Sequence, residues 1–259
     1  MIDAPPDDVL RAFGSAGPVE SLRGGEGAWR AGDLVFKPAP GDAEWAWLGE
    51  HLPTVRGDGF RLAMPVPTPD ERWVVDGWCA QMVMTGAHPA TPRWPEVLEV
   101  CGRLHAALRA LPIPPFLGER THPWSIGDRV AWQEAAPRVE HPALDRLLAI
   151  RTPIDLPSQA IHGDLTENVL FAEGVPPAVI DPTIYWRPAG TALAIVVSDA
   201  LQWSGAEPAP FLAAVRHVDE FPQLFVRAVI TRLVTSLEFG RRDVSSFDRV
   251  VTVAESLAG

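Results

Sequence analysis

The stretch 161–181 constrains the fold more than any other part of this chain. It reads Ile-His-Gly-Asp-Leu-Thr-Glu-Asn before two short apolar runs, 169–171 and 178–180, which flank a turn rich in Gly and Pro. Apolar runs of this length, separated by such a turn, predict a small β-hairpin. Polar residues stand just before the first strand and just after the second. The hairpin therefore places them at one end of the same structure.

Four polar side chains stand at that end of the hairpin: His162, Asp164, Asn168 and Asp181. Asn168 and Asp181 offer hard oxygen ligands, which Mg²⁺ takes while it keeps water and phosphate in its other positions. Asp164 offers a carboxylate that can orient a hydroxyl group and accept its proton. This combination of side chains is typical of phosphoryl transfer in the protein-kinase class.

The tripeptide His-Gly-Asp at 162–164 resembles the catalytic loop of the aminoglycoside phosphotransferases, where protein kinases have His-Arg-Asp. The resemblance implies a two-lobe, protein-kinase-like α+β fold that uses ATP and Mg²⁺. It implies that Asp164 is the catalytic base and that His162 supports the loop. It also implies that Asn168 and Asp181 are the Mg²⁺ ligands.

The loop departs from the kinase pattern in its length. Three residues separate Asp164 from Asn168, one fewer than kinase-like loops usually have, and Glu167 is an alternative metal ligand. The short loop leaves open a nucleotide-binding pseudokinase without catalytic activity. A metal-dependent phosphoesterase is a further alternative, because it uses the same ligand types.

Composition points to two of the residues in this scheme. Lys37 is the only lysine of the chain and Asn168 the only asparagine, and all other strongly basic positions are arginine. Arginine does not replace lysine where a compact point charge is required. Both residues are therefore candidates for roles that a substitute cannot fill.

The segment 19–37 predicts three strands, joined by a Gly-rich turn and an Ala-Gly-Asp turn. Gly24, Gly25 and Gly27 allow the backbone to approach a phosphate closely. In the resembling fold a Gly-rich hairpin and a strand lysine, here Lys37, bind the nucleotide phosphates. The alternatives are a hairpin turn that binds nothing and a charge on an edge strand.

The resemblance assigns two further nucleotide contacts in the N-terminal part. A glutamate of the helix after the third strand pairs with Lys37; Glu44 is the predicted partner and Glu50 the alternative. Adenine is expected at the backbone near Met82 and Met84, although two methionines are also ordinary core residues.

We expect a small β-rich nucleotide-binding lobe at 1–85 and a larger helical lobe at 86–259 that holds the catalytic loop and the acceptor site. Asp76-Gly77 predicts a tight hairpin turn in the small lobe. Helical spacing of apolar residues predicts helices in the large lobe at 95–111, 192–203, 211–218, 221–239 and 246–257.

Composition also restricts location and partners. The formal net charge of −11 argues against a nucleic-acid binder and against attachment to anionic membranes, and it is compatible with a cationic substrate. The N-terminus has no signal-peptide core, and no apolar run has membrane-spanning length. These features predict a cytoplasmic protein, and the resemblance implies that it is a small-molecule kinase. Its expected acceptor is an amino sugar, an aminoglycoside-like molecule or another hydroxylated metabolite.

Overall fold

The computed structural model describes residues 3–22 and 27–259. Its helices are α1 (Asp7–Ala12), α2 (Asp42–His51), α3 (Trp94–Leu108), α4 (Pro123–Ala131), α5 (Pro142–Ile150), α6 (Gly190–Trp203), α7 (Pro208–Val215), α8 (Phe221–Glu238) and α9 (Asp248–Ala258). Its strands are β1 (Val19–Ser21), β2 (Trp29–Ala31), β3 (Leu34–Pro38), β4 (Arg61–Leu62), β5 (Pro65–Val66), β6 (Val74–Val75), β7 (Trp78–Met82), β8 (Gln159–His162), β9 (Val169–Leu170), β10 (Ala178–Val179) and β11 (Ile184–Arg187). The predicted α+β class is confirmed.

The chain forms two compact units, and both are discontinuous. The sheet unit contains Met1–Thr91 and Asn168–Pro182, and the helical unit contains Pro92–Glu167 and Thr183–Gly259. The predicted division between residues 85 and 86 was continuous and placed the β9–β10 hairpin with the helices. The hairpin belongs to the sheet unit because β10 pairs in parallel with β4, a contact between distant parts of the chain.

The sheet unit is built on antiparallel strands in the order β1-β2-β3-β7-β5, and β6 also pairs with β7. Phe36 of β3 lies opposite Ala80 of β7, and both pack against α1. Since side chains alternate across a strand, the neighbouring Lys37 points to the other face. Asp76 and Gly77 have φ of 47° and 78°, as a two-residue hairpin turn of type I′ requires.

The core of the helical unit surrounds α8, against which α4, α5, α6 and α9 pack. Helix α4 approaches α8 closely at Gly127, where a Cβ atom would lie 2.5 Å from both the carbonyl oxygen of Thr231 and Oγ1 of Thr235. The ladder of β8 and β11 carries the loop that begins after His162. No helix among residues 3–22 and 27–259 is long and apolar enough to cross a membrane.

Candidate active site

The β9–β10 hairpin forms as predicted, with Val169 opposite Val179. One residue beyond this pair, the carbonyl oxygen of Asn168 accepts a hydrogen bond from the backbone N–H of Ile180 at 3.0 Å. Asp181 follows directly and has φ of 52°, in the left-handed region that Asp adopts more readily than most residues. The two predicted metal ligands, Asn168 and Asp181, therefore lie at the same end of the hairpin.

The ammonium group of Lys37 contacts the carboxylate of Asp181, 144 residues later in the chain. Lys37 lies on β3 opposite Cys79 of β7, and its Nζ is 5.0 Å from the centre of the Trp45 ring on α2. The exposed fraction of the side chain is 17% for Lys37 and 49% for Asp181. The structure thus brings together the only lysine and one predicted metal ligand.

Glu44 is buried on α2, whereas Glu50 is exposed. Burial raises the pKa of the Cys79 thiol to about 12; the charge of Lys37 opposes this rise, and the charges of Asp181 and Glu44 add to it. Electrostatic effects of this kind act over short distances, so all three charged groups lie near the thiol. This placement favours Glu44 over Glu50 as the partner of Lys37, and the pairing itself stays a prediction.

Only some of the other residues predicted to contact the nucleotide lie in the described part of the structure. Gly24 and Gly25 lie outside the described residues, while Gly27 has φ of 81°, a value that favours glycine. Met82 ends β7 with half of its surface exposed, and Met84 is partly buried just beyond the strand. An adenine site near these methionines stays a prediction.

Asp164 belongs to the helical unit, on the loop that follows β8. Its backbone N–H donates to Nδ1 of His162 at 3.2 Å. The backbone N–H of His162 in turn donates to Nε2 of His105 on α3 at 3.0 Å. Nδ1 of His105 lies 2.6 Å from the carbonyl oxygen of Cys101. These hydrogen bonds tie the loop to α3.

The bonds around His105 also determine its protonation. Because Nε2 accepts a hydrogen bond, the ring proton must be on Nδ1, which donates to Cys101, and the ring is neutral. Burial, partly opposed by the bond to the Cys101 carbonyl, lowers the pKa of His105 to about 4. His105 is therefore a hydrogen-bonded packing residue that orients the loop.

Gly163 is required by the ring of Tyr185, the only tyrosine of the chain. A Cβ atom on Gly163 would lie 2.4 Å from Cδ2 and 2.7 Å from Cε2 of that ring. Tyr185 is buried on β11 opposite Ile161, and the N–H of Gly163 donates to the carbonyl oxygen of Thr183 at 2.8 Å. Neither the ring nor the loop can move away without loss of these contacts.

We expect Gly163→Ala to lower the free energy of unfolding by about 1–3 kcal/mol, as overpacking of a filled site does. Gly102→Ala is the matched control, because a Cβ atom there has no neighbour within 4 Å and alanine favours the helix. Urea unfolding of both variants measures the effect. Equal stability of Gly163→Ala and the wild type would contradict the steric argument.

The sequence interpretation did not identify Arg232 as a site residue, although it contacts Asp164. Nη2 of Arg232 donates to Oδ1 of Asp164 at 2.7 Å. Nε and Nη2 also donate to the two carboxylate oxygens of Asp199 on α6, at 2.9 and 2.6 Å. Burial alone would lower the pKa of Arg232, but the two carboxylates outweigh it and raise that pKa, so the guanidinium stays charged. One feature of the sequence could have identified Arg232: it lies within the apolar run that forms α8. An arginine in such a run is expected to be buried, and buried arginines are almost always paired with an acidic group.

The residues at the hairpin end fit a Mg²⁺ ion by the chemistry of their donor atoms. Asn168 and Asp181 supply an amide oxygen and a half-exposed carboxylate. Mg²⁺ usually takes only one or two protein ligands when phosphates and water complete its octahedron. Among the described residues no three His, Cys, Asp or Glu side chains form a metal-binding cluster.

Matches to known protein sequences cover only a small part of this chain. No protein-family model matches the chain. The β-galactosidase BgaA of a Thermus species is 34% identical over 80 residues, and a β-galactosidase of Thermus thermophilus is 31% identical over 80 residues. Each match covers 30% of this chain and 9% of the β-galactosidase. The chain therefore spans a small part of the length of the curated relatives it matches.

Comparisons with solved structures cover almost the whole chain. Aminoglycoside phosphotransferase APH(4)-Ia is 15% identical, with a TM-score of 0.62 over 97% of this chain and 96% of that one. Spectinomycin phosphotransferase APH(9)-Ia is 13% identical, with a TM-score of 0.63 over 97% and 96%. An aminoglycoside phosphotransferase from Alicyclobacillus acidocaldarius is 13% identical, with a TM-score of 0.57 over 100% and 94%. The chain has the protein-kinase-like fold of the aminoglycoside phosphotransferases, which confirms the fold predicted from its sequence.

Proposed function

We propose that this protein is an ATP- and Mg²⁺-dependent phosphotransferase that moves the γ-phosphoryl group to a hydroxyl group of a small molecule. The observation that carries the proposal is the contact of Lys37 with Asp181, at the hairpin end where Asn168 also lies. Phosphoryl transfer uses a lysine ammonium group that binds phosphate and hard oxygen ligands that bind the metal ion, and both are found here side by side. Similar folds with bound ADP, AMP-PNP and GDP support a nucleotide as the phosphoryl donor.

Each residue has a separate role in the proposed reaction. Lys37 would bind phosphate oxygens of ATP, with Glu44 as its predicted partner. Asn168 and Asp181 would hold Mg²⁺, which when bound would neutralise phosphate charge. Asp164 would accept the proton of the acceptor hydroxyl group. The hydroxyl oxygen would bond to the γ-phosphorus of ATP as the bond between the γ-phosphorus and the β-phosphate oxygen breaks, which releases ADP.

The acceptor we propose is a small hydroxylated amine such as an amino sugar. The net charge of −11 favours the approach of cations. The structures with similar folds include complexes with spectinomycin and with hygromycin B. A panel of amino sugars and their neutral parent sugars, assayed for ATP consumption, tests this choice. Equal rates for each amino sugar and its parent would count against a cationic acceptor.

We expect Lys37→Ala to weaken the binding of Mg·ATP by about 10- to 100-fold, because a charge-assisted hydrogen bond contributes about 1.5–3 kcal/mol. The fold should stay intact: Asp181 is half exposed and remains solvated, whereas the buried Glu44, if it is the partner of Lys37, would lose its pairing and lower the free energy of unfolding. Isothermal titration calorimetry measures the affinity.

Lys37→Arg is the matched control, because it keeps the charge and changes the shape of the cation. We expect an affinity between those of the wild type and Lys37→Ala. Unchanged affinity in Lys37→Ala would exclude Lys37 from the phosphate site.

Tight nucleotide binding by the wild type without turnover on any acceptor would favour the pseudokinase, which the short loop between Asp164 and Asn168 allows.

A further inference from the structure

The guanidinium group of Arg232 is held in one orientation from two sides. Its Nε and Nη2 make a bidentate pair with both carboxylate oxygens of Asp199, and such a pair fixes the plane of the group. Its Cζ lies 5.0 Å from the centre of the Trp124 ring. The exposed fraction of the side chain is 6% for Arg232 and 3% for Asp199, so both are shielded from competing water.

Asp164 binds to this fixed group through a single oxygen. Nη2 of Arg232, which has two hydrogens, donates one to Asp199 at 2.6 Å and the other to Asp164 at 2.7 Å. The direction of the second hydrogen is therefore determined by the first pair. Asp164 is 39% exposed, and its Oδ1 accepts the hydrogen bond from this N–H. The pair selects the rotamer that lies along this N–H.

The charges of the three residues support the same interpretation. Asp199 already neutralises Arg232, so the three side chains together keep one negative charge. Without Asp199, the guanidinium group could turn so that two of its N–H groups face Asp164. Asp199 occupies Nε and one hydrogen of Nη2, so Asp164 receives only the hydrogen of Nη2 that remains.

We propose that Arg232 and Asp199 are a positioning pair that sets the orientation of the Asp164 carboxylate for proton transfer. The proposal rests on the proposed function, in which Asp164 is the base. Neither residue is assigned a contact with substrate; both act through Asp164. Positional errors of about 1 Å can cost about 10²-fold in rate, so loss of the pair should appear in kcat.

The test is the double variant Arg232→Met/Asp199→Leu. Removal of one partner alone would leave a buried charge unpaired and would destabilise the protein, whereas replacement of a buried pair by apolar side chains is often neutral. We expect the free energy of unfolding to stay near that of the wild type, kcat to fall by about 10- to 100-fold, and KM for ATP to stay unchanged. Wild-type kcat in a folded double variant would overturn the proposal.

The chain supplies a matched control in the pair of Arg187 and Asp128. This pair is also bidentate, at 3.1 and 2.6 Å, and Arg187 lies 5.1 Å from the centre of the Trp132 ring. Arg187 is at the end of the β8–β11 ladder away from His162. We expect Arg187→Met/Asp128→Leu to keep wild-type kcat. An equal loss of kcat in both double variants would overturn the proposal, because it would show a general effect of removing buried pairs.

Failure of the proposed function gives a different result. If the wild type turns over no acceptor, crystal structures of the wild type and of Arg232→Met/Asp199→Leu still decide the geometric part. The proposal requires one defined rotamer of Asp164 in the wild type and a changed or disordered side chain in the variant. The same rotamer in both structures would overturn it.

Discussion

Replacement of Asp164 by asparagine is expected to lower kcat by about 10²–10⁴-fold, the usual contribution of a positioned acid or base. The affinity for Mg·ATP should stay near that of the wild type. Asparagine has nearly the same size, and its oxygen can still accept the hydrogen bond from Nη2 of Arg232, which is 2.7 Å from Oδ1 of Asp164. It cannot take up the proton of a hydroxyl group. A coupled assay for ADP release measures kcat, and calorimetry measures the affinity.

Asp145→Asn is the matched control, because Asp145 is exposed on α5 in the same unit. We expect wild-type kcat from it. Undiminished turnover in Asp164→Asn would show that another group is the base. Glu167 would then be the next candidate, since it is exposed in the same loop and has φ of 63°. Strain of that kind persists only where the surrounding structure holds it and is common at functional sites.

The features that the sequence predicted correctly are set by neighbouring residues. The β9–β10 hairpin follows from two apolar runs around a Gly/Pro turn, and the turn at Asp76-Gly77 follows from the backbone freedom of that dipeptide. The helices were predicted to within a few residues of their observed ends, because each has its own apolar periodicity. The resemblance at 162–164 then indicated the fold.

The features that the sequence did not reveal depend on contacts between distant residues. The pairing of Arg61 with Ala178 joins segments that are far apart in the chain, and it places the hairpin in the sheet unit. Local patterns carry no information on such pairing. The contact of Arg232 with Asp164 likewise depends on how α8 packs. The contact of Lys37 with Asp181 also joins distant residues and was not predicted, while the pairing of Lys37 with Glu44 stays a prediction.

Acidification is expected to destabilise the protein through His105. The pKa of this residue is lowered by burial from 6.5 to about 4, so between these values the folded state binds fewer protons than the unfolded chain. The free energy of unfolding therefore rises with pH in this window, and the contribution of His105 to it is lost as the pH falls toward 4. The fall in pKa corresponds to a loss of about 3 kcal/mol, of which about 2 kcal/mol should be gone at pH 5. Protonation would also remove the acceptor that Nε2 offers to the N–H of His162.

His105→Gln separates this effect from the titration of carboxylates, which is common to both proteins. The amide oxygen of glutamine can replace Nε2 as the acceptor for His162 and does not titrate. Loss of the bond from Nδ1 to the Cys101 carbonyl should cost about 1 kcal/mol at pH 7. The difference in unfolding free energy between wild type and variant, measured by urea denaturation at pH 7, 6 and 5, should shrink and then reverse, because only the wild type loses the His105 contribution. A constant difference across this range would contradict a neutral His105 and would show that the acid sensitivity has another origin.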